Sequence, residues 1–105
     1  FNVRNNVERI KMKKYFIASL CRNGILGGGI HLDEYAVTYK TGKITVPVKY
    51  RNLQLPYEGI TEISTGGLLC FPTVTLQMKD GEAYKFIVFA RKRFLAAIKE
   101  FGGIE

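Results

Sequence analysis

The sequence predicts a mainly β domain closed by one C-terminal helix, and three observations predict it. Short stretches of alternating apolar and polar residues recur along the chain, separated by turn residues. One of those turns, Asp80-Gly81, is a strong hairpin signal, because two-residue hairpin turns need backbone at positive φ. At Arg91 the period changes: Phe94, Ile98 and Phe101 recur at helical spacing, and Leu95 and Ala97 widen the stripe. Such a stripe must be buried, and the open end of a barrel-like sheet is the surface available for it.

The elements follow in order. Residues 1–13 are a polar, basic lead-in in which Val3, Val7 and Ile10 permit a short helix. A single domain then occupies 14–105. In 14–22, Phe16, Ala18 and Leu20 share one strand face, and Ile17 and Cys21 take the other, so both faces are candidates for cover. Asn23-Gly24 turns the chain. Gly27-Gly28-Gly29 lacks the lysine and hydroxyl that a phosphate-binding loop needs. It reads instead as a bulge or a close backbone approach, with Ile30-His31-Leu32 as strand after it. Asp33-Glu34 turns the chain into the alternation of Tyr35, Val37 and Tyr39, and Thr41-Gly42 turns it again. Ile44, Val46, Val48 and Tyr50 alternate around Pro47, which cannot donate to a ladder, so 44–50 is expected to be an edge strand or a bulged excursion. Leu53 and Leu55 form a short strand stopped by Pro56, and Pro56-Tyr57-Glu58-Gly59 is turn chemistry. Ile60 and Ile63 face inward before Gly66-Gly67. Val74, Leu76 and Met78 precede the Asp80-Gly81 turn, and Tyr84, Phe86 and Val88 form the last strand. The helix is expected over 91–101, with Gly102-Gly103 to stop it.

With 105 residues the chain holds one domain, large enough for a single core without metals or disulfides. A first residue of Phe1 reads as a fragment or processed chain, so the lack of a signal peptide carries no weight. No apolar run approaches the ~20 residues of a membrane span. Cys21 and Cys70 are too few for a disulfide framework and are expected to be buried thiols. The expected setting is cytoplasmic, with membrane-peripheral placement as a variant. Sixteen Lys and Arg against nine Asp and Glu give +7, which suits an anionic partner or simply solubility.

The order of these stretches resembles the pleckstrin-homology superfold, and within it the GRAM-like and bacterial pleckstrin-like domains. The resemblance rests on Gly28 through Asp33 running into Tyr35–Tyr39, on Leu53 through Ile60, and on Phe71–Leu76 through Lys79-Asp80-Gly81 to Tyr84–Phe89 and the closing helix. It covers roughly residues 14–102. Gly59 departs from it, standing where an acidic residue is common. The resemblance implies a split barrel of two roughly orthogonal antiparallel sheets, about seven strands, capped by the helix. It does not fix a function, because one superfold hosts many.

Catalysis has little to stand on. His31 is the sole histidine, Ser19 and Ser64 lack a nucleophile elbow, and the carboxylates form no pair at helical spacing. Along a strand, His31 and Asp33 point to one face and Glu34 to the other, so the three do not converge as metal ligands. No enzyme, cofactor or metal is therefore expected. By resemblance to phosphoinositide-binding pleckstrin domains, the candidate anionic-ligand contacts are Arg22 at the first turn and Lys40 and Lys43 around Thr41-Gly42. A secondary basic group, Arg91, Lys92 and Arg93, opens the helix against its macrodipole, which hints at a partner. The expected function is a non-enzymatic interaction module that binds a protein surface or self-associates, with edge segments near Pro47 available for strand addition. Peripheral binding to anionic lipids is the alternative. Nucleic-acid binding by a five-stranded oligonucleotide barrel ranks third, with Tyr15, Tyr35, Tyr39, Tyr50 and Phe71 as conceivable stacking surfaces.

Overall fold

The computed structural model describes residues 14–22, 24–42 and 46–102. The lead-in 1–13 and candidate Lys43 lie outside the described residues. The strands are β1 (Lys14–Cys21), β2 (Ile25–Leu32), β3 (Ala36–Lys40), β4 (Asn52–Pro56), β5 (Ile60–Leu68), β6 (Phe71–Met78) and β7 (Ala83–Val88). One helical turn, α1 (Val48–Arg51), precedes β4, and α2 (Arg91–Gly102) closes the domain. As expected, the architecture is mainly β with a C-terminal helix. Hydrogen bonding runs antiparallel through one curled seven-stranded sheet, a half-barrel, in the order β4-β3-β2-β1-β7-β6-β5. The five-stranded oligonucleotide barrel is not formed.

Alternation decides which face is core. Phe16, Ala18 and Leu20 of β1, Val74, Leu76 and Met78 of β6, and Phe86 and Val88 of β7 are all buried. Phe94, Ala97 and Ile98 of α2 close the barrel mouth over them. The Phe94 ring meets Phe16 edge-on at 5.3 Å, and Tyr39 meets Phe86 at 5.6 Å. Full burial of a side chain such as Phe94 contributes about 1.5–3 kcal/mol.

The turns follow their residues. The Asp33 carboxylate accepts from the amides of Tyr35 (2.8 Å) and Ala36 (2.9 Å), and Asp80 accepts from Glu82 (2.9 Å). Gly81 holds φ 93°, which glycine adopts at no steric cost. The triple glycine is explained by close approach. A Cβ on Gly28 would collide with the Lys40 carbonyl of β3, and one on Gly29 with the Tyr15 hydroxyl.

Three expectations are corrected. Of the segment 44–50, expected as an edge strand or a bulged excursion, the described residues form no strand: Val48–Arg51 is helical, Val46 and Tyr50 are buried, and the Tyr50 amide donates to the Pro47 carbonyl at 2.9 Å. Ile44 and Thr45 lie outside the described residues. Pro47 has no N–H to give a ladder, and burying Tyr50 favours the turn. Ile17, a candidate for cover, is 75% exposed, because no described residue packs over that face of β1 at its position. Cys70 is exposed and Cys21 half-buried, so only Cys21 approaches the expected environment. Burial raises the Cys21 pKa, and Lys85 partly offsets the rise.

Candidate functional site

Arg22 follows β1 directly, and the antiparallel order brings it beside the start of β7 and the turn of α1. Its guanidinium donates to the Ala83 carbonyl at 2.6 Å and to the Tyr50 hydroxyl at 3.3 Å, and lies 3.6 Å from a Glu82 carboxylate oxygen. It also sits over the rings of Tyr84 (4.9 Å) and Tyr50 (5.4 Å). An arginine with this many partners ties three elements together and offers a ligand little. Burial raises the Tyr50 phenol, while Arg22 and Lys49, through hydrogen bonding and charge, lower it by more. The net pKa falls below the ordinary phenol value.

Lys40 ends β3, exposed, between Gly29 of β2 and Asn52 of β4. It borders an open cleft of about 410 Å³ lined also by Tyr15, His31, Arg51 and Asn52. Tyr15 and His31 are cross-strand partners whose rings stand 4.7 Å apart, and glycine at 29 leaves room for the tyrosine ring. The Arg51 Nε donates to the Val46 carbonyl at 2.8 Å, which fixes that side chain at the rim. Among the described residues no Asp or Glu lines the cleft, so its chemistry suits an anionic or hydrogen-bond-accepting group. The sequence marked Lys40 as an anionic-ligand contact, weighed His31 only for a metal and Tyr15 only for base stacking, and did not mark Arg51. The β1–β2 register, which pairs Tyr15 with His31, was the available signal.

The secondary basic group divides. Arg91 donates to the carbonyls of Gly66 (2.7 Å) and Thr73 (3.4 Å), which fastens the start of α2 to β5 and β6. Lys92 and Arg93 are exposed. Arg93 borders a depression of about 250 Å³ with Lys14, Tyr15, Phe16 and Glu100. The structure therefore separates the five candidates among the described residues: Arg22 and Arg91 are structural ties, Lys40 joins a cleft, and Lys92 and Arg93 stand on the helix surface. Among the described residues no three His, Cys, Asp or Glu side chains gather as metal ligands, and no helix is long and apolar enough to cross a membrane.

Two features had no part in the sequence reading. The strand order leaves β4 and β5 as sheet edges. The β4 edge has five residues and ends in Pro56, whereas β5 has nine and carries one charge, Glu62. The other feature is the β5–β6 turn, where Leu69 holds φ 58° with its side chain 93% exposed.

No family model matches the chain, and no curated protein matches it. Among solved structures it is similar to the C-terminal domain of an unknown protein from Leishmania infantum, with a TM-score of 0.70 at 8% identity over 94% of this chain and 93% of that one. At that identity the likeness shows a shared fold and no more.

Proposed function

We propose that this domain is a PH/GRAM-like, non-enzymatic interaction module that receives another polypeptide by strand addition along β5, a second copy of itself being the partner to test first. The helix-capped half-barrel and its meander order support the PH-like reading. One observation carries the functional reading: β5 is a long edge without the usual protection. Natural sheet edges are blunted by shortness, lysine, proline or bulges. The β4 edge is short and ends in Pro56. On β5 the register irregularity falls at its start, between Ile60 and Glu62, and the stretch from Ile63 to Leu68 has neither charge nor proline. Arg91 takes the Gly66 carbonyl, which leaves Ile63–Thr65, beyond the irregularity and Glu62, as the part a second strand would use.

Sedimentation across a concentration series tests this. A reversible dimer weakened by the double substitution Ser64→Lys and Thr65→Lys is expected, because both positions are exposed and an edge lysine opposes pairing. A monomer at every concentration, or a dimer indifferent to both lysines, contradicts it. A second reading, binding of an anionic lipid headgroup, is favoured by the cleft at Lys40 and Arg51, which no described Asp or Glu lines. Lys40→Glu should then reduce co-sedimentation with anionic vesicles, and unchanged binding would remove that reading.

A further inference from the structure

The outer face of the sheet carries an aromatic ring that core packing does not explain. Alternation along β1–β4 puts Tyr15, Gly29, His31, Lys40 and Asn52 on that outer face. Register sets them side by side: Tyr15 pairs with His31, Gly29 with Lys40, and Lys40 with Asn52. Tyr15 is 55% exposed, yet its ring leans across β2. The three atoms nearest a Cβ on Gly29 all belong to that ring, and His31 flanks it at 4.7 Å with a 59° tilt. Glycine inside a strand weakens it and marks a close approach. Gly28 answers to the Lys40 carbonyl, whereas Gly29 seats a ring that stays open to solvent.

The charge beside this ring has one sign. No Asp or Glu occurs in β1, β2, β3 or β4, while Lys40 and, at the rim, Arg51 are cationic. The acids that follow β2, Asp33 and Glu34, do not line the cleft, and the Asp33 carboxylate is held by the Tyr35 and Ala36 amides. An open ring beside two cations and a carboxamide suits a ligand that is flat at one end and anionic at the other. A phosphorylated headgroup has the charge but no flat ring, and leaves Tyr15 without a partner. A nucleotide has both, since bases stack on aromatic side chains, amides meet base edges, and Lys or Arg meets phosphate. The cleft volume of about 410 Å³ falls within the roughly 300–1,000 Å³ of small-molecule sites.

We infer that the Tyr15–His31 cleft binds a nucleotide unit, free or within a single strand. The base stacks on Tyr15, Asn52 meets its edge, and the phosphate lies between Lys40 and Arg51. The outer face of an open sheet serves here, and no oligonucleotide barrel is needed. The site is separate from the β5 edge and stands if that edge fails, and it competes with the headgroup reading for one cleft.

The chain has no tryptophan, so Tyr15→Trp keeps a ring at the site and supplies a single reporter. At low salt its emission is expected to be quenched by adenosine monophosphate or by a short single-stranded oligoadenylate. Quenching by the monophosphate assigns a free nucleotide, and quenching by the oligomer alone assigns a single strand. Tyr15→Ala removes an exposed ring, so it keeps the fold, checked by melting temperature, and is expected to weaken binding of the quenching probe about tenfold. Lys40→Glu is expected to weaken it and to flatten its salt dependence. The inference is overturned if neither probe quenches the tryptophan, or if Tyr15→Ala binds as the unaltered chain does. It is also overturned if inositol trisphosphate binds the unaltered chain more tightly than either probe, which would return the cleft to a headgroup. A duplex bound as tightly as the single strand would overturn it too, because charge alone would then be at work.

Discussion

The turn that carries Arg22 and the turn that carries Leu69 both join neighbouring strands of one sheet, and their side chains have opposite fates. Arg22 bonds to Ala83 and Tyr50, lies near Glu82 and covers two aromatic rings. Leu69 stands in solvent on left-handed backbone. The contrast teaches that a basic residue at a strand end can be structural, while an apolar residue at a turn can be the group left over for a partner. Charge alone would have ranked the two the other way.

The comparison can be broken by substitution, and the largest effect is expected at the Arg22 end. Arg22→Ala removes the donor to Ala83 and the cover over Tyr84 and Tyr50, and should lower unfolding stability by about 1–3 kcal/mol in urea titration. The same change should raise the Tyr50 pKa, because burial then acts with less opposition. A loss of a few tenths of a kcal/mol or less would mean that Arg22 is available to a ligand after all.

The next effect tests the close packing behind the Lys40 strand. Gly28→Ala drives a methyl into the Lys40 carbonyl and should cost about 1–3 kcal/mol. Gly42→Ala, with no described residue within 4 Å of the added atom, should be near neutral. Equal melting temperatures for the two would refute the close-approach account of the triple glycine.

Alkaline titration follows. Tyr57 is buried, its hydroxyl donates to the Asp33 carbonyl at 2.7 Å, and its ring lies against Gly102 of α2. Burial first, and the Asp33 charge second, hold its pKa well above the usual phenol value. A raised phenol stays protonated in the folded chain while the unfolded chain ionises near pH ~10. The folded state then binds more protons, so stability is full below that pH and falls as pH rises past it. Tyr57→Phe should make that fall shallower by up to one proton, measured as the slope of unfolding free energy against pH. An unchanged slope would place the effect on Tyr39 and Tyr84, whose phenols burial also raises.

The smallest effect belongs to the exposed tip and has the opposite sign. Leu69→Gly should leave stability unchanged or raise it by about 1 kcal/mol, since it relieves left-handed backbone and uncovers no core. Destabilisation would mean that Leu69 is a packing residue.

Most of the fold was legible in the residues. Phe16-Ala18-Leu20, Val74-Leu76-Met78 and Phe94-Ile98 each announced a buried face by period alone, and Asp80-Gly81 announced its turn. The segment around Pro47 misled because its alternation is also compatible with one helical turn, and the burial of Tyr50 under Arg22 depends on contacts 28 residues apart. The candidate contacts were legible as charges but not as availability. Whether an arginine is engaged depends on what lies across the sheet, and for Arg22 and Arg91 the partners are backbone carbonyls that no side-chain pattern marks. The β5 edge was hidden for the same reason, because strand order is not written in any one strand.

On the proposed function, partners meet this domain along the β5 limb and not at the Arg22 turn. Peptide-resolved amide hydrogen exchange, taken from dilute to concentrated protein, tests it most directly. Protection is expected to grow with concentration over residues 60–68 and to stay constant over residues 22–33. Exchange in 60–68 that ignores concentration, or new protection confined to the Arg22 turn, would contradict it.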